Sequence, residues 1–141
     1  MGNSSKQKYV MMVFSNPAAN QEETYLKWYE GQHVHDLLKI PGFVGAQFYK
    51  IADSQQSEAP DMRYLMIWEI ETDDLAAVFD DVNARMKDGR TVMNEAFDMN
   101  YVSISMFPIT KYITSDEIKG KSVEEVLAIS TEEIVFIPCS E

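Results

Sequence analysis

The chain has 141 residues, 45% hydrophobic and 25% charged, which is typical of one soluble globular domain. Its formal net charge of −11 repels phosphate backbones, so we expect no nucleic-acid partner. The single cysteine, Cys139, excludes an internal disulfide and favours the cytoplasm, and no apolar run is long enough for a secretory signal or a membrane span.

Two predicted strands flank the first predicted helix. Residues 9–14 are a compact apolar run that ends before a Ser-Asn-Pro turn, which is typical of a buried strand. Residues 43–51 are rich in β-branched and aromatic side chains and predict the second strand.

The helix between these strands is expected to begin near Gln21, because Asn20 and Glu23 have the spacing of a capping box. Gly31 destabilises a helix interior by about 1 kcal/mol, so we expect a break or kink there. Ile40-Pro41-Gly42 ends the helix. Its buried face is formed by residues three and four apart, namely Leu26, Tyr29, His33 and Leu37.

The second half of the sequence predicts a strand, a helix and a final strand. Residues 63–70 form the third strand, and Thr72 is expected to cap the helix that follows. Gly89 is expected to end that helix. Residues 101–113 predict a long fourth strand, with a bulge or edge at Pro108. The apolar face of the second helix consists of Leu75, Val78, Phe79, Val82 and Met86.

The resulting order, β-α-β-β-α-β, is that of an α+β ferredoxin-like fold with a four-stranded antiparallel sheet. This domain is expected to span residues 9–113. Residues 1–8 are expected to be a flexible N-terminus. Residues 114–141 are expected to form a C-terminal extension with a short helix, introduced by a capping box at residues 122–125, and an edge strand at 134–137.

Apolar residues on both faces of the predicted sheet indicate a homodimer. Two helices cover one face, so part of this apolar surface must lie on the other face, where a second copy would bury it. The residues that cannot all lie beneath two helices are Met11, Val13, Leu65, Ile67, Val102 and Ile104.

His33 is the leading candidate for catalysis, because it lies on the buried helix face and its neutral imidazole is suited to acid–base chemistry. Asp36, three residues later, is close enough to accept an imidazole N–H and fix the tautomer. The alternative is a core histidine bonded to a carbonyl or to Asp36. His35 points away from His33 in a regular helix and is expected to lie at the surface.

A metal site would use ligand types that His33, His35 and Asp36 provide. Two histidines at positions i and i+2 of a helix diverge, and the chain has no third histidine, so we expect no metal. The sequence also has no glycine-rich phosphate loop, and we expect no cofactor.

The aromatic residues gather near the predicted contact between the first helix and the sheet. Such clusters belong to a core more often than to a pocket, but these rings could also line a cleft for a flat apolar ligand. Tyr49, Tyr64 and Tyr101 are candidate hydroxyl donors to a substrate oxygen. The cluster consists of Trp28, Tyr29, Phe48, Tyr49, Tyr64 and Trp68.

The run from Trp28 to Leu38, Trp-Tyr-x-x-x-His-x-x-Asp-Leu-Leu, followed by Pro41-Gly42-Phe43, resembles the EthD-like branch of the dimeric α/β-barrel superfamily. This resemblance implies two ferredoxin-like sheets packed face to face, with the helices outside and a pocket between sheet and helices in each subunit. His33 matches the family's helix-end histidine, and Trp28 and Asp36 match its flanking positions. His35 replaces a proline found in many relatives and could extend the site.

The resemblance also implies a range of functions, because related families include cofactor-free monooxygenases, polyketide cyclases, isomerases and dehydratases. We expect an enzyme of lyase, isomerase or cyclase type that acts on a small hydrophobic, aromatic, oxygenated molecule. His33, Asp36 and Tyr49 would be catalytic, and Trp28, Tyr29, Phe48, Tyr64, Trp68 and His35 would bind the substrate. The alternatives are a cofactor-free monooxygenase and a dimeric ligand-binding protein without turnover.

Overall fold

The computed structural model describes residues 6–131, which form one antiparallel sheet with helices between its strands. The strands are β1 (Gln7–Ser15), β2 (Phe43–Lys50), β3 (Tyr64–Thr72) and β4 (Val102–Met106). They lie in the order β2-β3-β1-β4, and all neighbouring pairs are antiparallel. The predicted ferredoxin-like α+β fold is therefore confirmed.

The first helical region changes its winding within a few residues. An α-helix, α1 (Glu22–Lys27), continues into a π-helical segment (Trp28–His33) and then into α2 (Val34–Leu37). The break predicted at Gly31 is therefore a π-helix, a geometry often found at functional sites. The predicted capping box is wrong, because Gln21 is the N-cap and its side chain makes no capping hydrogen bond.

The second predicted helix is α3 (Leu75–Lys87). Asp74, not Thr72, caps it, because the Asp74 carboxylate accepts a hydrogen bond from the backbone N–H of Ala77 at 3.1 Å. The Thr72 hydroxyl instead accepts from the N–H of Asp74, so it orders the turn that precedes the helix. Gly89 follows the helix with a φ of +87°, as expected of a residue that ends it.

The two faces of the sheet differ in burial. Met11 pairs with Trp68 and Val13 with Met66, and all four side chains are buried on the face that the helices cover. Of the six apolar residues that were predicted not to fit beneath two helices together, Met11 and Val13 therefore lie on the covered face and the other four on the opposite face, because side chains alternate along a strand. We call the other side the open face; its half-buried or exposed apolar residues are Val10, Met12, Phe14, Leu65, Ile67, Val102, Ile104 and Met106.

The fourth strand is much shorter than the predicted 101–113. It ends at Met106 because Pro108, two residues on, has no N–H to donate to a ladder. Two short helices follow, α4 (Ser115–Ile118) and α5 (Val123–Ser130), and the predicted capping box at Ser122 is confirmed. The edge strand predicted at 134–137 lies outside the described residues.

The division into residues 1–8, 9–113 and 114–141 stays a prediction, although β1 already begins at Gln7. Within residues 6–131, no helix is both long and apolar enough to cross a membrane.

Candidate functional site

A cavity of about 290 Å³ lies on the covered face of the sheet, between the π-helical segment, α3 and the connection from α3 to β4. Its walls are rich in methionine and aromatic side chains, and none of the side chains that line it is charged. The lining residues are Met11, Val13, Tyr29, His33, Leu37, Trp68, Phe79, Val82, Asn83, Met86, Met93, Phe97, Met99, Tyr101 and Ser103.

Aromatic rings hold the His33 imidazole in the wall of this cavity. The ring stacks on Trp28, with centroids 4.6 Å apart, and meets the edges of Tyr29 at 5.2 Å and Trp68 at 5.7 Å. The residue is 8% exposed. Its Nδ1 atom is buried without a hydrogen-bond partner among the described residues. His33 thus faces the sheet, as the helical spacing predicted.

Burial also sets the charge state of His33. Desolvation lowers its pKa to about 4, although the negative charge of Asp36 acts in the opposite direction. The imidazole is therefore neutral near pH 7 and can accept a proton. A buried nitrogen without a hydrogen-bond partner, such as His33 Nδ1, lowers the stability of the fold. A catalytic role is one reason why a protein keeps such a group.

Asp36 does not hydrogen-bond to His33, contrary to the role expected from their spacing. Its carboxylate accepts hydrogen bonds from the Val92 N–H at 2.9 Å, from the Gln32 amide at 2.9 Å and from His35 Nδ1 at 3.3 Å. Burial acts to raise the pKa of Asp36, but these hydrogen bonds hold it below its ordinary value. Asp36 is therefore a buried carboxylate that anchors a loop.

Trp28 anchors the same loop residue, Val92, through its other backbone group. Its indole N–H donates to the Val92 carbonyl oxygen at 2.8 Å, while Asp36 accepts from the Val92 N–H. Both backbone groups of Val92 are therefore bonded to the first helical region. This clamp holds the connection between α3 and β4, which supplies Met93, Phe97 and Met99 to the cavity.

Three residues of the predicted aromatic cluster lie elsewhere. Phe48, Tyr49 and Tyr64 border a separate, open depression at the end of β2, together with Glu22. Tyr49 pairs with Leu65 and therefore lies on the open face. The cavity is on the opposite, covered face, so Tyr49 does not reach it. The Tyr64 hydroxyl donates to Glu22, and burial, followed by that carboxylate, raises the pKa of Tyr64 to about 12.

The structure thus brings His33, Tyr29 and Trp68 to the cavity, with Trp28 packed behind the imidazole. His35 is exposed at the surface, as the helix geometry predicted, and bonds to Asp36, but it does not line the cavity as a substrate-binding residue would. Sequence reasoning missed Asn83 and the loop residues Met93, Phe97 and Met99. The available signal was the recurrence of large apolar residues in segment 90–100, for which the sequence predicts neither a helix nor a strand.

Among residues 6–131, no three histidine, cysteine, aspartate or glutamate side chains are grouped as metal ligands. No protein-family profile matches the sequence, and no curated protein is significantly similar to it.

Comparison with solved structures shows which fold the chain is similar to. The heme-degrader MhuD from Mycobacterium tuberculosis superposes with a TM-score of 0.54 at 14% identity, over 74% of this chain and 99% of MhuD. A Nitrosomonas europaea protein named for antibiotic biosynthesis monooxygenases gives 0.50 at 14% identity, over 76% and 95%. An EthD family protein from Bacillus halodurans gives 0.49 at 16% identity, over 72% and 98%. The first two similarities confirm the ferredoxin-like fold predicted from the sequence.

Proposed function

We propose that this protein is a cofactor-free enzyme that uses His33 for acid–base chemistry on a small hydrophobic, oxygenated aromatic molecule. The observation that carries this proposal is the neutral His33 imidazole in the wall of an apolar cavity that also contacts Tyr29 and Trp68. A packed core histidine would have no cavity beside it. A mostly apolar pocket with a few polar groups is the usual form of a small-molecule site.

His33 would act through its Nε2 atom, because Nδ1 is sealed inside the protein. The neutral ring would take a proton from a hydroxyl or an acidic C–H of the substrate and return it at another atom, which is the step that lyases, isomerases and cyclases share. Tyr101, which lines the cavity, replaces Tyr49 as the hydroxyl that would hold the substrate oxygen. The apolar walls of the cavity strengthen each of these interactions.

A second candidate is a cofactor-free monooxygenase, which the name of the Nitrosomonas europaea neighbour favours. In this case the substrate anion formed by His33 would itself reduce O₂. One oxygen atom would enter the product, and the other would leave as water with two hydrogens from the substrate. Proton removal by His33 is the first step of both candidates, so the same residue tests both.

The test is turnover by His33→Ala, with His35→Ala as the matched control. Hydroxylated one- and two-ring aromatics are first screened by thermal shift, since a ligand of the folded state raises stability. Compounds that bind are then followed by chromatography and with an oxygen electrode. We expect the wild type and His35→Ala to convert a bound compound and His33→Ala to lose conversion while staying folded. Equal turnover in His33→Ala would refute the proposal, and binding without any turnover would identify a ligand-binding protein.

We further propose that the protein is a homodimer joined through the open face. The face carries eight apolar side chains on three strands, and Val102, Ile104 and Met106 are each 39–46% exposed. An uncovered patch of this kind is unusual on a soluble monomer, and a two-fold axis would bury it on both copies. Sedimentation at low micromolar concentration is expected to show a species of twice 16.1 kDa.

A further inference from the structure

The side chains that line the cavity range from buried to exposed, and the polar ones include His33, Asn83, Tyr101 and Ser103. His33 is 8% exposed, and we call the part of the cavity beside it the closed end. Asn83 of α3 is exposed, as is Met99, and we call the part of the cavity beside them the open end. The other α3 residues of the lining, Phe79, Val82 and Met86, are apolar. The Asn83 amide makes no hydrogen bond to any described residue, so its donor and acceptor atoms are available to a ligand.

The size of the cavity limits the ligand. An apolar protein cavity of ~150 Å³ accepts one benzene ring. At about 290 Å³, this cavity is roughly twice that size and matches two fused rings. Flat walls of Trp68, Tyr29 and Phe97 favour a planar molecule, and the methionines can adapt to its outline.

The charge of the cavity limits the ligand further. No lysine or arginine lines it, and the whole chain carries a net charge of −11. A carboxylate brought to the closed end would lose its hydration without a cation to replace it, which is strongly unfavourable. A heme, as bound by the neighbour MhuD, fits neither limit, because it is a four-ring macrocycle with two carboxylates.

We propose that the cavity binds an uncharged, two-ring aromatic with one hydroxyl against His33 and a second oxygen at the opposite end against the Asn83 amide. This proposal rests on the proposed function, since it names the substrate class of the same site. Asn83 is then the residue that selects compounds oxygenated at both ends, and His33 the residue that requires the inner oxygen to be a neutral hydroxyl.

The experiment is isothermal titration calorimetry at pH 7 with naphthalene-2,6-diol, 2-naphthol, 2-naphthoate and hemin as probes. We expect the diol to bind about 5-fold more tightly than 2-naphthol, the contribution of one hydrogen bond that competes with water. 2-Naphthoate is expected to bind at least about 10-fold more weakly than 2-naphthol, because it cannot bring a neutral hydroxyl to His33. Hemin is not expected to compete with the diol.

The variant Asn83→Leu keeps the size of the side chain and removes its amide. We expect it to bind the diol and 2-naphthol equally, whereas the control Ala84→Leu, on the exposed side of the same helix, keeps the 5-fold preference. A preference that survives in Asn83→Leu would overturn the role of Asn83. Equal affinity for 2-naphthoate and 2-naphthol, displacement of the diol by hemin, or no binding of any naphthalene would overturn the ligand class. These affinities are measured without turnover. Results that contradict the ligand class can therefore be told apart from full activity of His33→Ala, which would refute the proposed function.

Discussion

Replacing His33 with leucine is expected to make the protein relatively more stable in acid. In the folded state burial lowers the pKa of His33 from 6.5 to about 4. As the pH falls below 6.5, the unfolded chain therefore binds a proton that the folded protein does not bind, and the wild type loses stability. The loss is complete near the folded pKa. Leucine does not titrate, so the variant lacks this loss.

The magnitude follows from the two pKa values. A difference of about 2.5 units corresponds to about 3 kcal/mol between pH 7 and pH 4, at 1.36 kcal/mol per unit. At pH 7 the two proteins are expected to be close in stability. Leucine removes the unpartnered Nδ1, worth about 1–3 kcal/mol, but also removes the stack on Trp28, worth about 0.5–1.5 kcal/mol.

The assay is urea unfolding of the wild type, His33→Leu and the control His35→Gln at pH 7, 5.5 and 4. The carboxylates that titrate in this range are the same in all three proteins. The difference in unfolding free energy between the wild type and His33→Leu therefore reports the His33 side chain alone. The control removes an exposed imidazole and is expected to follow the wild type. If the difference in unfolding free energy between His33→Leu and the wild type does not grow in favour of the variant as the pH falls, then His33 is not desolvated as described.

Three further outcomes are expected. For the free enzyme, kcat/KM should rise with pH through a midpoint of about 4 and be level above about pH 6, because His33 acts as a neutral base; a pH–rate profile with its midpoint near 6.5 would contradict a buried base. Asp36→Ala should lower the free energy of unfolding by about 1–2 kcal/mol and raise KM, since it frees the Val92 N–H and loosens a cavity wall; unchanged urea unfolding and KM would argue against the clamp. Ile104→Lys should give monomers in sedimentation, whereas Val123→Lys, equally charged but on α5, should not; a dimeric Ile104→Lys would move the interface away from the open face.

Much of the fold could be read from local patterns. The compact apolar run of β1 and the spacing of Leu75, Val78 and Val82 in α3 are local properties, so they predict elements without knowledge of their neighbours. The ends of elements were less predictable. The strand predicted to run to residue 113 ends at Met106, because Pro108 has no N–H for the ladder with β1 and ends the strand instead of forming a bulge within it.

By itself, the sequence determined the ferredoxin-like order and the buried orientation of His33. A residue's position on a helix face follows from its spacing to Tyr29 and Leu37, which a π-helical turn alters but here does not reverse. The grouping of side chains was decided by tertiary structure alone. Tyr49 lies on the other face from His33, while Asn83, fifty residues along the chain, lines the same cavity. Strand register and helix packing set these contacts, and they act between segments that no local pattern connects.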